Sequence, residues 1–196
     1  MTYLNIEAVY QLANTLDRAD GMAWYARANE IAVQLADRYE ISLIQAAGVI
    51  AALSPRNKWE RNVADAENLI RVWSIDPASA DSVKVCTFGP NKAKAIRILN
   101  EAPQSDADVL AILSGPKLQE FFLCIMGDPN EVCIDGHAYS IWAGDRITLQ
   151  NVPSIGKKLR QQIKQDYRRA AQDAGLTACQ MQAVTWCAWR RLHGVG

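Results

Sequence analysis

Residues 106–138 read DADVLAILSGPKLQEFFLCIMGDPNEVCIDGHA, and the punctuation within them sets the fold. Ser105 offers an N-cap hydroxyl ahead of the apolar run that ends at Leu113, which predicts a short helix. Ser114-Gly115-Pro116 is a tight turn, and Pro116 stands where proline is favoured, at the start of a second helix running through Lys117 to Met126. Gly127-Asp128-Pro129-Asn130 reverses the chain into Val132-Cys133-Ile134, the one persuasive extended piece. Asp135 and Gly136 then lead into another helix from His137 to Ala143. The stretch is a helix–turn–helix followed by a short arm that delivers a carboxylate to a helix start.

Helical spacing holds outward from here. Ile6, Val9, Leu12 and Leu16 form one apolar stripe and Trp24, Ala28, Ile31 and Leu35 a second, with Asp20-Gly21 expected to separate the two helices. Ser42 caps a strongly apolar helix from Leu43 to Leu53 that Ser54-Pro55 stops, as expected of a central buried helix. A helix from Lys58 to Trp73 turns Val63, Ala66, Leu69, Ile70 and Trp73 inward, and residues 74–85 are loop with a short turn. Gly89-Pro90-Asn91 opens a helix from Lys92 to Leu99, Pro153-Ser154 starts a long basic one to Ala174, and Thr177 caps a last one to Leu192. The fold is expected to be all-α, with about ten helices.

Composition bounds the function. The chain has 196 residues, 49% of them hydrophobic, and 21 basic residues against 21 acidic ones. That suits one compact domain, or two lobes sharing a core, and excludes a disordered chain. No apolar run approaches the roughly 20 residues of a membrane span, and the opening MTYLNIEAVYQ lacks a basic-then-apolar signal. A soluble protein of the cytoplasm is expected. Five cysteines without a C-x-x-C pair, and only two histidines, argue against a disulfide framework, a zinc site or an iron–sulfur cluster. They read as small buried hydrophobes in a reducing compartment, and no metal or other cofactor is expected.

The zero net charge is unevenly spread. From residue 151 onward, eight basic residues face two acidic ones, a surplus of six that residues 1–150 offset. A basic face built on Lys157, Lys158 and Arg160 would suit a polyanion, although a solvated amphipathic helix has the same pattern. Lys117 and Asp135 lie 18 residues apart, across one helix and a reversing turn, so they can reach one cleft. Such a pair has three uses. A desolvated amine attacks an electrophilic carbon, the carboxylate serves as a general base or steadies a developing cation, or the two form a plain salt bridge.

In their order these motifs resemble the helix–hairpin–helix DNA glycosylase superfamily, the endonuclease III-like enzymes. There a hairpin L-P-G-V-G-x-K is followed by a helix, a short extended run and V-D-T-H. The stretch ILSGPKLQEFFLCIMGDPNEVCIDGHA has the lysine, the helix and I-D-G-H in that order. Upstream, FGPNKAKAIRIL looks like the family's helix before the hairpin, and LIQAAGVIAALSPRNKWERNVADAENLI its buried helix and the next one. The resemblance covers about residues 40–145, with the basic helices of 154–192 beyond it.

The resemblance implies a helical fold with a central cleft and a DNA-binding, base-flipping enzyme. Asp135 falls on the catalytic aspartate and Lys117 on the lysine nucleophile of members that also cut the strand. Gly115 and its turn would offer N–H groups to a phosphate. Arg56 or Asn57 would fill the gap left in the duplex, Lys58 would meet phosphate, and Trp59 would stack on the extruded base unless it is a core aromatic. Asn62 would read a base edge or simply cap or solvate a helix, and His137 would orient Asp135 or bond backbone. The chain departs from the pattern in three ways. Its hairpin lacks the full G-V-G, the cluster cysteines are absent, and net positive charge is missing. Base excision is the superfamily's default. A bacteriophage branch implicated in thymidine hypermodification, a transferase reaction in which an amino acid such as glycine displaces phosphate from phosphorylated 5-hydroxymethyluracil in DNA, is nearly as well matched. It would bring a free amino acid as co-substrate, and the host cytoplasm as location. A non-catalytic DNA-binding helical module is the remaining alternative.

Overall fold

A computed structural model describes residues 2–148 and 150–194. Among the described residues it contains ten α-helices, one 3₁₀ helix and no strand. The helices are α1 (Tyr3–Gln11), α2 (Thr15–Tyr39), α3 (Leu43–Leu53), α4 (Trp59–Ile75), α5 (Gly89–Glu101), α6 (Asp106–Leu113), α7 (Pro116–Ile125), α8 (Gly136–Ala143), α9 (Lys157–Asp173) and α10 (Ala178–His193), with the 3₁₀ helix at Pro77–Ser82. Among the described residues no helix is long and apolar enough to cross a membrane. The chain divides into two compact units. Unit 1 comprises Met1–Arg27 and Gly127–Gly196, and unit 2 comprises Ala28–Met126.

Unit 2 is organised on α3, which packs against α4, α5, α6 and α7. Ser42 and Gln45 form a reciprocal capping box at its start. The Gln45 amide also donates to the Leu99 carbonyl at 3.1 Å, tying down the end of α5. Residues 45–53 of α3 are buried all round, as its composition requires. The inward face of α4 differs from expectation. Asn62 and Asp65 are buried with Ala66, Leu69 and Ile70, whereas Val63 and Trp73 are only half-buried. Asp65 has several hydrogen-bond partners and Asn62 donates through its amide, while the Asn62 Oδ1 is buried with no partner among the described residues. At the end of α3, Ser54 N–H bonds the Ala51 carbonyl, and the Asn62 amide takes up Ile50 O at 3.1 Å.

Unit 1 packs α1, α8, α9 and α10 around Ile6, Val9, Ile141, Ile163, Tyr167 and Met181. The first helix break lies earlier than expected. Asn14 and Asp17 exchange side-chain-to-backbone bonds at 2.8 and 2.9 Å, so α2 begins at Thr15 and runs straight through Asp20-Gly21. Leu12 and Leu16 are accordingly exposed and leave the apolar stripe. Gly21 has a packing role instead. A Cβ there would lie 2.4 Å from Val184 Cα, so only glycine lets α2 and α10 approach this closely. Arg191 secures the same corner, with Asp17 Oδ2 2.7 Å and the Leu12 carbonyl 2.8 Å from Nη2. Burial works against the charged Asp17 carboxylate, but the Arg191 guanidinium and the Asn14 N–H outweigh it and hold its carboxyl below the usual range.

The long basic helix begins at Lys157 rather than at Pro153, with Gly156 as its N-cap. Substituting Gly21→Ala is expected to lower stability by about 1–3 kcal/mol or more, because backbone rather than a flexible side chain meets the new methyl group. Thermal denaturation of the variant checks this.

Candidate active site

The candidate residues fall into two groups, one in each unit. In unit 2, Asn57 N–H bonds the Ser54 carbonyl at 3.2 Å, which closes a turn across Pro55 and Arg56. Arg56 has φ +54°, a left-handed conformation costly for any residue with a Cβ. Its guanidinium lies 5.1 Å from the centre of the Phe88 ring, and Phe88 is 53% exposed. Asp65, 4% exposed, fixes this surface from beneath. Its carboxylate accepts from the Asn57 amide at 3.1 Å, the Cys86 N–H at 2.8 Å and Arg61 Nε at 2.7 Å. One buried carboxylate therefore binds the 54–58 turn to the segment that carries Phe88. Sequence reasoning missed both Asp65 and Phe88. The available signals were an acidic residue one helical turn beyond Arg61, and an aromatic directly before Gly-Pro.

Lys58 is exposed and is the N-cap of α4. Trp59 is half-buried and meets Phe121 of α7 edge-on, with ring centres 6.5 Å apart. Phe121 stands one turn beyond Lys117, so the start of α4 lies beside the face of α7 that carries this lysine. Lys117 is exposed in the first turn of α7. The hairpin takes an unexpected form, because Ser114 adopts the left-handed conformation at φ +52° while Gly115 is an ordinary extended N-cap at φ −130°. A Cβ on Gly115 would meet nothing closer than the Leu113 carbonyl at 3.8 Å, so neither backbone nor packing requires glycine there. Asn62 is 1% exposed and bound to α3, which removes it as a reader of base edges.

In unit 1, Asp135 is the N-cap of α8, and its Oδ1 accepts the Ala138 N–H at 2.8 Å. Among the described residues no other group donates to its side chain. His137 is half-buried, one residue into α8 beyond Asp135's neighbour Gly136, and the bond shown at the Asp135 side chain comes from the helix backbone. The segment before Asp135 has no regular secondary structure, and several of its polar groups turn to other elements. Pro129 O accepts from Ala178 N–H at 2.9 Å and Asn130 O from Arg168 Nε at 2.7 Å. Glu131 stands 2.5 Å from Lys164, with only 11% of the Glu131 side chain and 13% of the Lys164 side chain exposed. Ile134 O accepts from Arg160 Nη1 at 3.3 Å. Val132, Cys133 and Ile134 are buried.

Most of the basic charge on α9 is therefore used within the unit. Arg160 grips the arm instead of forming an open cationic face, Arg169 bonds the Tyr3 hydroxyl, and Lys157 and Lys158 remain exposed at the start of the helix. The expectation of buried cysteines holds for Cys124, Cys133 and Cys179, while Cys86 is exposed and Cys187 half-buried. Burial and the nearby Asp20 and Asp17 carboxylates push the Cys187 thiol up to about 11, which makes it a poor nucleophile. No group of three or more potential metal ligands occurs among the described residues.

The chain belongs to a family of unknown function, DUF7178, whose model matches residues 1–193. No curated protein and no solved structure matches it.

Near the end of α10, partial burial and the positive charges of Arg146 and His137 lower the affinity of His193 for a proton. Between that lowered value and the ordinary one near 6.5, the unfolded chain binds a proton that the folded chain does not. Stability should therefore rise with pH across this window and level off above it. Urea midpoints at pH 5.5 and 7.5 should differ less in His193→Gln than in the native chain.

Proposed function

We propose that this protein is a DNA-binding enzyme that acts on a base turned out of the duplex, with excision of that base as its first reaction. The observation that carries the reading is the placement of its two chemical side chains: Lys117 in the first turn of α7, directly after the α6–α7 hairpin, and Asp135 as the N-cap of α8. In excision the bond between C1′ and the base breaks, and the base leaves with the electron pair. Water then adds to C1′ as Asp135 accepts its proton. The turn at 54–58 supports the duplex-contacting part of the proposal, since it offers Arg56 and Lys58 to phosphate and the Arg56–Phe88 pair to a base face.

Base elaboration is the second reading, and the exposure of Lys117 favours it. An exposed lysine suits a cation that meets a phosphate better than a nucleophile activated by burial. An amine such as that of glycine would bond to the methylene carbon of phosphorylated 5-hydroxymethyluracil. The carbon–oxygen bond to phosphate would break, phosphate would leave with the electron pair, and Asp135 would accept the amine proton.

Mass spectrometry of nucleosides separates the readings. Duplexes containing uracil, oxidised bases, 5-hydroxymethyluracil or its phosphate are incubated with the protein, with and without glycine. A freed base supports excision and an added amino acid supports elaboration; an unchanged duplex with retained binding would leave only a binding module. Asp135→Asn is expected to reduce product formation by about a hundredfold or more while leaving DNA affinity essentially unchanged. Borohydride is expected to trap no covalent adduct through Lys117, and a trapped adduct would restore the strand-cutting role of that lysine.

A further inference from the structure

We infer that Arg160, Lys164 and Arg168 of α9 are positioning residues that hold the 130–135 arm and thereby fix Asp135. The three lie four residues apart, on a single stripe of the helix. Successively they reach Ile134 O, the Glu131 carboxylate and Asn130 O, so each meets a different point of the arm. The neighbouring stripe, with Ile163, Tyr167, Ala170 and Ala171, is buried in the core and fixes the register of the helix. Tyr167 adds a fourth hold, its hydroxyl donating to Ala138 O at 3.2 Å, while the N–H of that same residue donates to Asp135. A buried extended strand in a sheet would have its polar groups met by a neighbouring backbone. Here helix side chains meet them, so the register of the arm is that of the α9 stripe. One helix turn of misplacement in α9 would carry Asp135 with it.

The catalytic meaning of this hold rests on the reading of Asp135 given above, and the test keeps the two apart. In the full chain, hydrogen exchange and NMR signals of residues 131–138 are compared for the native protein, Arg168→Met, Arg168→Lys and the double variant Glu131→Gln/Lys164→Met. The double variant leaves no unpaired buried charge, so it folds where a single change at either position would be costly. Both Arg168→Met and the double variant are expected to raise exchange of the Ala138 amide by about tenfold or more, with core amides of α10 unchanged and Arg168→Lys restoring protection. On whichever product forms, kcat should fall while KM for DNA holds. Unchanged Ala138 exchange in both variants would overturn the inference, as would a loss confined to KM. A native chain that processes no base would defeat the proposed reaction, and Ala138 exchange would still decide whether α9 fixes Asp135.

Discussion

Four buried residues, Glu131 to Ile134, without a strand partner among the described residues, set the terms for unit 1. An unsatisfied backbone carbonyl in a protein interior costs about 1–3 kcal/mol, so the arm at 131–135 is tenable only if something else bonds it. Arg160 of α9 does so at Ile134 O, while Lys164 pairs with the Glu131 carboxylate that itself accepts the Val132 N–H; Arg168 and the first N–H of α10 meet Asn130 O and Pro129 O just ahead of the arm. The helix's composition follows from this task. Its cations address the arm, Asp166 receives the Trp142 indole and the Thr2 hydroxyl, and Tyr167 and Ile163 fill the core. A helix that looks made for solvent is committed on several sides at once.

Much of the fold was legible because local chemistry specified it. The Ser42, Ser105 and Thr177 caps, the proline at the start of α7 and the apolar run of α3 each predict the element that forms. The errors came where distant residues override local preference. Gly21 looks like a helix break, and nothing nearby in sequence reveals that Val184 will press against it. Asn62 looks like a surface amide, and its burial depends on a carbonyl at the end of another helix. The charge on α9 was countable, but its destination was not, because periodicity cannot tell a solvated lysine from one paired with a buried glutamate.

The candidate site divides the same way. Asp135 stood out as the residue after an extended run, and it does cap α8. Lys117 was located correctly on its helix, though its exposure could not be read from spacing. Asp65 escaped notice because its value lies in three donors drawn from the 54–58 turn, the 83–88 segment and its own helix. Membership of DUF7178 adds no chemistry of its own, so the functional proposal stands on these side chains and their order along the chain.

The left-handed positions are divided between the units. Among the described residues, the four without glycine, Glu40, Arg56, Ala102 and Ser114, all belong to unit 2, whereas the glycines at positive φ, 127, 144, 175 and 194, belong to unit 1. Each of the first set carries a penalty of about 1 kcal/mol that glycine would relieve in part. Half of this molecule thus holds a reserve of untapped robustness at its corners while the other has already spent its own. An engineer could harden one half alone, leaving the Asp135 arm untouched.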